Sequence, residues 1–298
     1  MHIGTQLSGQ ALEKLGDRYL RQLAQFGIRH VCIDPPGNPH DWTRDVLSRH
    51  IDRLDAAGLT LDMVQLPMSS VGIDRVASPN IMLGRDPGRQ GEVDSICRII
   101  EMLGQLGIGP TTSEVGRGGA RLSTFRHDLT RDDDVPTSAG AVSAEQMWER
   151  ITWFLERVVP VAESAKVRLA CHPHDPLTRP GYRGMEERVL GSADGLKRFV
   201  QIVESPYHGL NFCQGTIAES LENPREEIEP IIRWFGERGK IFNVHFRNIR
   251  GGRYSFTEEF PDAGDMDMAS CFRLYQELGV DCMIMPDHVP EIDGAAPF

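Results

Sequence analysis

The chain has 298 residues, of which 40% are hydrophobic and 25% charged, a globular balance compatible with one large α/β domain or two ordinary ones. A net charge of -11, with no long basic cluster interleaved with aromatics, argues against nucleic acid or an acidic membrane as partner. No apolar run approaches the roughly eighteen residues of a membrane span, and the opening MHIGTQLSGQ lacks the basic and apolar regions of an export signal, so a cytoplasmic protein with reduced cysteines is expected.

In chain order, short apolar stretches rich in β-branched residues alternate with longer segments of helical period. Strands are predicted at 2–6, 30–33, 61–65, 108–113, 167–172, 209–213, 241–246 and 282–285. Helical segments lie between them: ALEKLGDRYLRQLAQFG, RDVLSRHIDRLDAAG, VDSICRIIEMLGQLG, AEQMWERITWFLERVVPVAESA and ASCFRLYQELG. Four of these five end at a glycine suited to closing a helix. Eight such repeats predict a single (β/α)8 TIM barrel over 1–298. No linker divides the chain, and the long segment after the fourth predicted strand reads as an active-site loop. Only thirteen residues follow the eighth strand, so the eighth helix is expected to be missing, or that side covered by another subunit of a homo-oligomer.

In such barrels chemistry gathers at the C-terminal ends of the strands. The last four predicted strands end at His172, Cys213, His245 and Asp287. Two imidazoles, a thiolate and a carboxylate suit a borderline divalent cation, Mn2+, Fe2+, Co2+, Ni2+ or Zn2+, and the thiolate favours the softer of these. Each residue alone reads as well as a packed core side chain; their agreement at four strand ends makes the metal reading the stronger. Cys171 precedes His172, and strand alternation sends the two to opposite faces, which leaves Cys171 to the helix side.

ACHPHDP, GLNFCQGT, HFRN, FTEEFPDAGDMDM and MPDHV, in this order, resemble the mannonate dehydratase family, metal-dependent enzymes with a xylose-isomerase-like barrel. In the first half the resemblance rests on NIMLGRDPGRQGEVD and the barrel pattern. It implies removal of water from D-mannonate to give 2-keto-3-deoxygluconate, usually with Mn2+. The same four residues would be the ligands, His288 an acid/base group, and Arg247 and Asn248 pocket residues. The chain departs from the family at His174, Met285 and Val289, and it stops before a segment that carries a catalytic tyrosine in relatives.

A base for the C2 proton and an acid for the departing C3 hydroxyl are needed, and imidazole titrates where it serves as either. His288 is the first candidate and His174 the second, the latter also readable as a hydrogen-bonded turn residue. GRGGAR, 116–121, offers backbone amides between Arg117 and Arg121 for a small anionic substrate, or equally a glycine-dependent surface turn. Asp265 and Asp267 read as caps and first-turn charges of the last helix, with Asp265 a further substrate contact. Three functions compete: a metal-dependent sugar-acid dehydratase, a metal-dependent sugar isomerase or epimerase, and a noncatalytic sugar-binding relative.

Overall fold

In the computed structural model, residues 1–68, 73, 75–108, 119–122, 124–125 and 139–290 are described. Eight parallel strands close into a barrel: β1 (His2–Leu7), β2 (His30–Ile33), β3 (Thr60–Gln65), β4 (Gly119–Leu122), β5 (Arg168–Cys171), β6 (His208–Cys213), β7 (Ile241–His245) and β10 (Met283–Met285), with β10 back against β1. An antiparallel hairpin, β8 (Asn248–Gly252) and β9 (Ser255–Glu259), stands outside the barrel directly after β7. Seven of the eight predicted strands fall on barrel strands. The fourth does not: the position between β3 and β5 is taken by Gly119–Leu122, and of 108–113 only Ile108 is described, outside any strand. GARL has no β-branched residue to announce a strand, and Gly119 is there because a Cβ would stand 2.3 Å from the Arg168 carbonyl oxygen of β5.

The predicted helices appear as α1 (Gly9–Gln25), α2 (Arg44–Ala56), α4 (Gly88–Gln105), α5 (Ala144–Ala165) and α9 (Met268–Glu277). Four more were not singled out: α3 (Pro79–Leu83), α6 (Ala193–Ile202), α7 (Gln214–Ala218) and α8 (Pro224–Gly236). Apolar side chains from the helices and the outer strand faces, Phe154, Leu155, Phe199, Phe235 and Leu20 among them, form one buried shell around the barrel. A smaller group, Cys32, Met63, Ala170, Phe242, Met283 and Met285, plugs its interior. Cys171 belongs to the outer shell and its neighbour Ala170 to the plug, the alternation expected for this strand. No helix follows β10 as far as Pro290, the last residue described there, and Ile3 on the adjacent β1 is 65% exposed.

Candidate metal centre

β10, β7, β6 and β5 are successive neighbours in the barrel, and each carries one ligand-type side chain to the same end. His172 follows β5, Cys213 ends β6, His245 ends β7 and Asp287 lies just beyond β10. One donor atom from each lies within 4.8 Å of all the others. Cys213 Sγ is 3.3 Å from Asp287 Oδ2, and His245 Nδ1 is 3.4 Å from Asp287 Oδ1. The rings of His172 and His245 are 5.1 Å apart.

The groups around these side chains suit a cation. His172 Nδ1–H donates to the Pro173 carbonyl at 2.8 Å, which leaves Nε2 with a lone pair. Burial, then His245 and Arg121, pushes the His172 imidazole down to about 3, and burial lowers His245 as well, so both rings are neutral, the form that ligates. His245 Nδ1 is buried without a hydrogen-bond partner among the described residues. Its Nε2 lies 3.1 Å from the Asn211 side-chain amide, itself 2.8 Å from Asn243. With the Asn211 and Asn243 amides both turned, so that Asn211 Oδ1 accepts Nε2–H and the Asn211 NH2 donates to Asn243 Oδ1, Nδ1 is free to ligate. Thr216 aims its amide and hydroxyl at Cys213 Sγ from 3.5 and 3.0 Å. Burial, then Asp287, raises the Cys213 thiol well above its ordinary range, so the thiol donates to Asp287 until a cation displaces its proton. Burial opposes ionisation of Asp287, but contact with His245 and the charge of Arg247, 3.6 Å away, outweigh it and hold the carboxyl far below its usual range.

Beside the centre sits Arg247, fully buried and surrounded by acids. Its guanidinium meets Glu219 at 2.5 Å, Glu258 at 2.8 Å, Asp175 at 3.4 Å and Asp287 at 3.6 Å, and donates to the Thr216 hydroxyl at 2.9 Å. Gly215 admits this stem, since a Cβ there would stand 2.3 Å from Arg247 Nε. Burial, then Asp175, pushes Glu219 up to about 9: one cation cannot hold every surrounding carboxyl ionised. Arg247 is therefore an electrostatic hub beneath the centre, where the sequence suggested a pocket-lining cation. His288 joins the hub from the rim. It is 49% exposed, its Nδ1 is 2.8 Å from Glu258 Oε1 and 3.1 Å from Arg247, and its Nε2 is 3.8 Å from Asp287 Oδ1.

The other expected residues divide. His174 is buried, with Nε2–H donating to the Phe125 carbonyl and Nδ1 accepting the Leu190 amide at 3.3 Å, so both ring nitrogens are engaged within the turn, which favours the hydrogen-bonded reading over the acid/base one. Asn248 spends its side-chain amide on the carbonyls of Pro261 and Met266 and its oxygen on two backbone amides, bracing the hairpin instead of meeting substrate. Asp265 likewise accepts the Gly251 amide at 2.8 Å, and Asp267 caps α9 by accepting the Ser270 amide. Arg121 lies on β4, not in a loop: it is buried, reaches Gln65 at 3.5 Å, and its Nε has no hydrogen-bond partner among the described residues. Arg117 lies outside the described residues.

Sequence reading missed Asp175, Thr216, Glu219, Glu258, Asn211 and Asp34. Asp175 and Glu258 sit inside the motifs ACHPHDP and FTEEF, where they could have been found. Glu219, in the helical TIAES, carries no local signal. Asp34 follows β2, accepts the Gln65 amide at 2.7 Å, and is pushed up to about 7 by burial, against that hydrogen bond and Arg121.

A closed parallel barrel with two histidines, a cysteine and an aspartate converging at its C-terminal mouth defines the class: a xylose-isomerase-like TIM barrel with a candidate divalent-metal centre. The family model for D-mannonate dehydratase (UxuA) matches residues 2–297, and the chain belongs to that family. The mannonate dehydratase of Thermotoga maritima is 35% identical over 150 residues, 49% of this chain and 40% of that protein. Mannonate dehydratase 2 of Halalkalibacterium halodurans is 31% identical over 49% of this chain and 42% of its own length, so the alignment spans less than half of these curated relatives. Among solved structures, the mannonate dehydratase of Streptococcus suis serotype 2 superposes with a TM-score of 0.77 at 20% identity, covering 100% of this chain and 88% of that one. The D-psicose 3-epimerase of Clostridium cellulolyticum H10 gives 0.64 at 14% identity, covering 97% and 86%.

Proposed function

We propose that the protein is a divalent-metal-dependent hydro-lyase that converts D-mannonate, or a related aldonate, to a 2-keto-3-deoxy acid and water. The observation that carries this reading is the convergence of His172, Cys213, His245 and Asp287, with a buried orphan Nδ1 on His245, in a chain of this family. His172 Nε2, Cys213 Sγ, His245 Nδ1 and Asp287 would hold the cation, and Mn2+ is proposed first, on the family resemblance, before Fe2+, Co2+, Ni2+ or Zn2+. Bound there, it would supply Lewis acidity toward the substrate carboxylate and the neighbouring oxygen, easing loss of the C2 proton.

The chain's own groups supply the rest. Glu258 accepts Nδ1–H of His288 and fixes that ring, as a carboxylate orients a catalytic histidine, so Nε2 is left as the base for the C2 proton. The C3 hydroxyl must then leave with a proton, as water, and the enol becomes the 2-keto acid. The protonated His288 can return the proton if one ring serves both carbons. Arg121, buried with an open Nε at the mouth, is assigned to the substrate carboxylate, and Arg117 is retained as its partner from the expected loop. The homo-oligomer is likewise a proposal, supported by the exposed Ile3 beside β10.

Metal-reconstituted protein incubated with D-mannonate should release a 2-keto-3-deoxy acid. No product with Mn2+, Co2+ and Zn2+ in turn would defeat the dehydratase reading. Exchange of the C2 proton with solvent without loss of water would point to isomerase or epimerase chemistry at the same centre.

A further inference from the structure

We propose that the opposite end of the barrel holds a second divalent-cation site, built from His2, His30 and Asp62 at the starts of β1, β2 and β3. Asp62 Oδ2 lies 2.5 Å from His2 Nε2, and Asp62 Oδ1 lies 2.8 Å from His30 Nδ1. The two imidazoles face each other with centroids 3.8 Å apart, and one donor atom from each of the three residues lies within 4.8 Å of the others.

Register brings these side chains together. His30 sits two residues before Cys32, which is in the interior plug, so both face inward. His2 sits two residues before Gly4, where a Cβ would strike Met283 of the same plug. Asp62 arrives through an irregularity: Val31 pairs with Leu61, but Cys32 pairs with Met63, so β3 carries an extra residue at this point. Leu61 and Val64 pack in the outer shell while Met63 joins the plug. The bulge thus turns Asp62 inward along with Met63, and re-aiming one side chain is a recurrent use of such bulges.

Two imidazole nitrogens and a carboxylate form a ligand set for Zn2+, Co2+, Ni2+ or Cu2+. The His2 and His30 side chains are 15% and 28% exposed while Asp62 is 5%, so water can complete the coordination from the open face. A cation would take the place of the N–H protons that now face Asp62, each neutral imidazole then carrying its proton on the opposite ring nitrogen. The apolar plug separates this cluster from the mouth: His30 lies before Cys32 on its strand, while His172 lies beyond Ala170 on its own. The ion therefore ties together three strand starts and does not reach substrate, in keeping with the stabilising role of this face in such barrels.

The test uses tag-free protein loaded with Co2+, dialysed, and assayed for cobalt per chain, with the thiolate-to-cobalt charge-transfer band reporting the Cys213 centre separately. Wild type should hold two ions per chain. His30→Ala, and independently Asp62→Asn, which keeps the side chain's shape, should each hold one fewer while the band persists. Fewer than two ions in wild type with the band present, or an unchanged count in either folded variant, overturns the proposal. Loss of one ion from a protein that never shows the band would leave this site standing and remove the thiolate centre instead.

Discussion

Replacing Arg247 by Met tests the electrostatic hub most directly. The substitution keeps an apolar stem of similar length and removes the cation that faces Glu219, Glu258, Asp175 and Asp287. Breaking one buried ion pair typically costs about 3–5 kcal/mol, because the remaining charge stays desolvated and unpaired. Here protonation of the orphaned acids caps the loss, so the single-pair figure is appropriate for the whole cluster. With an unfolding entropy of about 2.1 cal/mol/K per residue, a chain of 298 residues loses roughly 1.6 °C of Tm per kcal/mol, or about 5–8 °C in all. The loss should also depend on pH. Burial works against the Asp175 and Asp287 carboxylates, but Arg247 and neighbouring groups hold both below their ordinary range. Groups lowered in this way stabilise the fold above their unfolded pKa, and that contribution disappears as pH falls through the folded value. The gap between wild type and Arg247→Met, read by calorimetry of metal-free protein, should therefore be widest near neutrality and narrow below about pH 4. Arg247→Lys keeps the charge but not the fork, and should fall between the two. A Tm within about 1 °C of wild type at pH 7 would refute the hub.

Because Cys213 holds its proton in the cation-free protein, metal uptake should release protons and tighten as pH rises; calorimetric titration in two buffers of different ionisation heat measures this, and a proton count of zero would contradict the thiolate ligand. Cys213→Ser should weaken Co2+ or Zn2+ binding by at least ~10–100-fold and affect Mn2+ less, measured by competition with a chelator. His288→Gln should lower kcat by ~10²–10⁴-fold at unchanged metal content, whereas His174→Ala should cost about 1–3 kcal/mol of stability, from the unpaired Phe125 carbonyl and Leu190 amide, with kcat retained by the metal-loaded protein. The folded protein keeps the Asp34 proton to about pH 7 while an unfolded chain releases it near 3.9, so ionisation of Asp34 opposes folding. Asp34→Asn should accordingly gain Tm over wild type between pH 4 and 7 and level off above; a gain already present at pH 4 would assign the effect to something other than this proton.

What the sequence made legible follows from how each residue is chosen. Barrel strands such as Ile241–His245 are buried on both faces, so their apolar runs announce them, and side chains at their ends are placed by topology alone. The convergence of the four proposed ligand residues was legible for that reason. The strand Gly119–Leu122 was not, because close approach to Arg168 selects a glycine where a β-branched residue would have marked the strand, and with it went the true position of Arg121. The partners of Arg247 were illegible for a different reason. Glu219 comes from a short helix and Glu258 from a hairpin, so only the fold brings them to one guanidinium.

Register explains why this barrel can be polar at both ends. A strict alternation gives each strand about one inward residue in two, and the plug of Cys32, Met63, Ala170, Phe242, Met283 and Met285 already uses most of the middle positions. Among the described residues, extra residues appear in two places, Asp62 on β3 and Phe242 on β7, each where the pairing slips by one. On β7 the slip lets Phe242 fill the plug while Asn243 still reaches Asn211, behind His245. On β3 it lets Met63 fill the plug while Asp62 reaches His2 and His30. The same device thus supports a polar group at the mouth on one side of the barrel and at the floor on the other. Deleting Asp62 would consequently remove the carboxylate and the bulge together, and would leave Leu61 outward, Met63 inward and Val64 outward in regular alternation. Asp62→Asn keeps the bulge and changes only the ligand, so thermal unfolding of the metal-free deletion and substitution should give similar Tm values, and a much lower Tm for the deletion alone would contradict this assignment of faces.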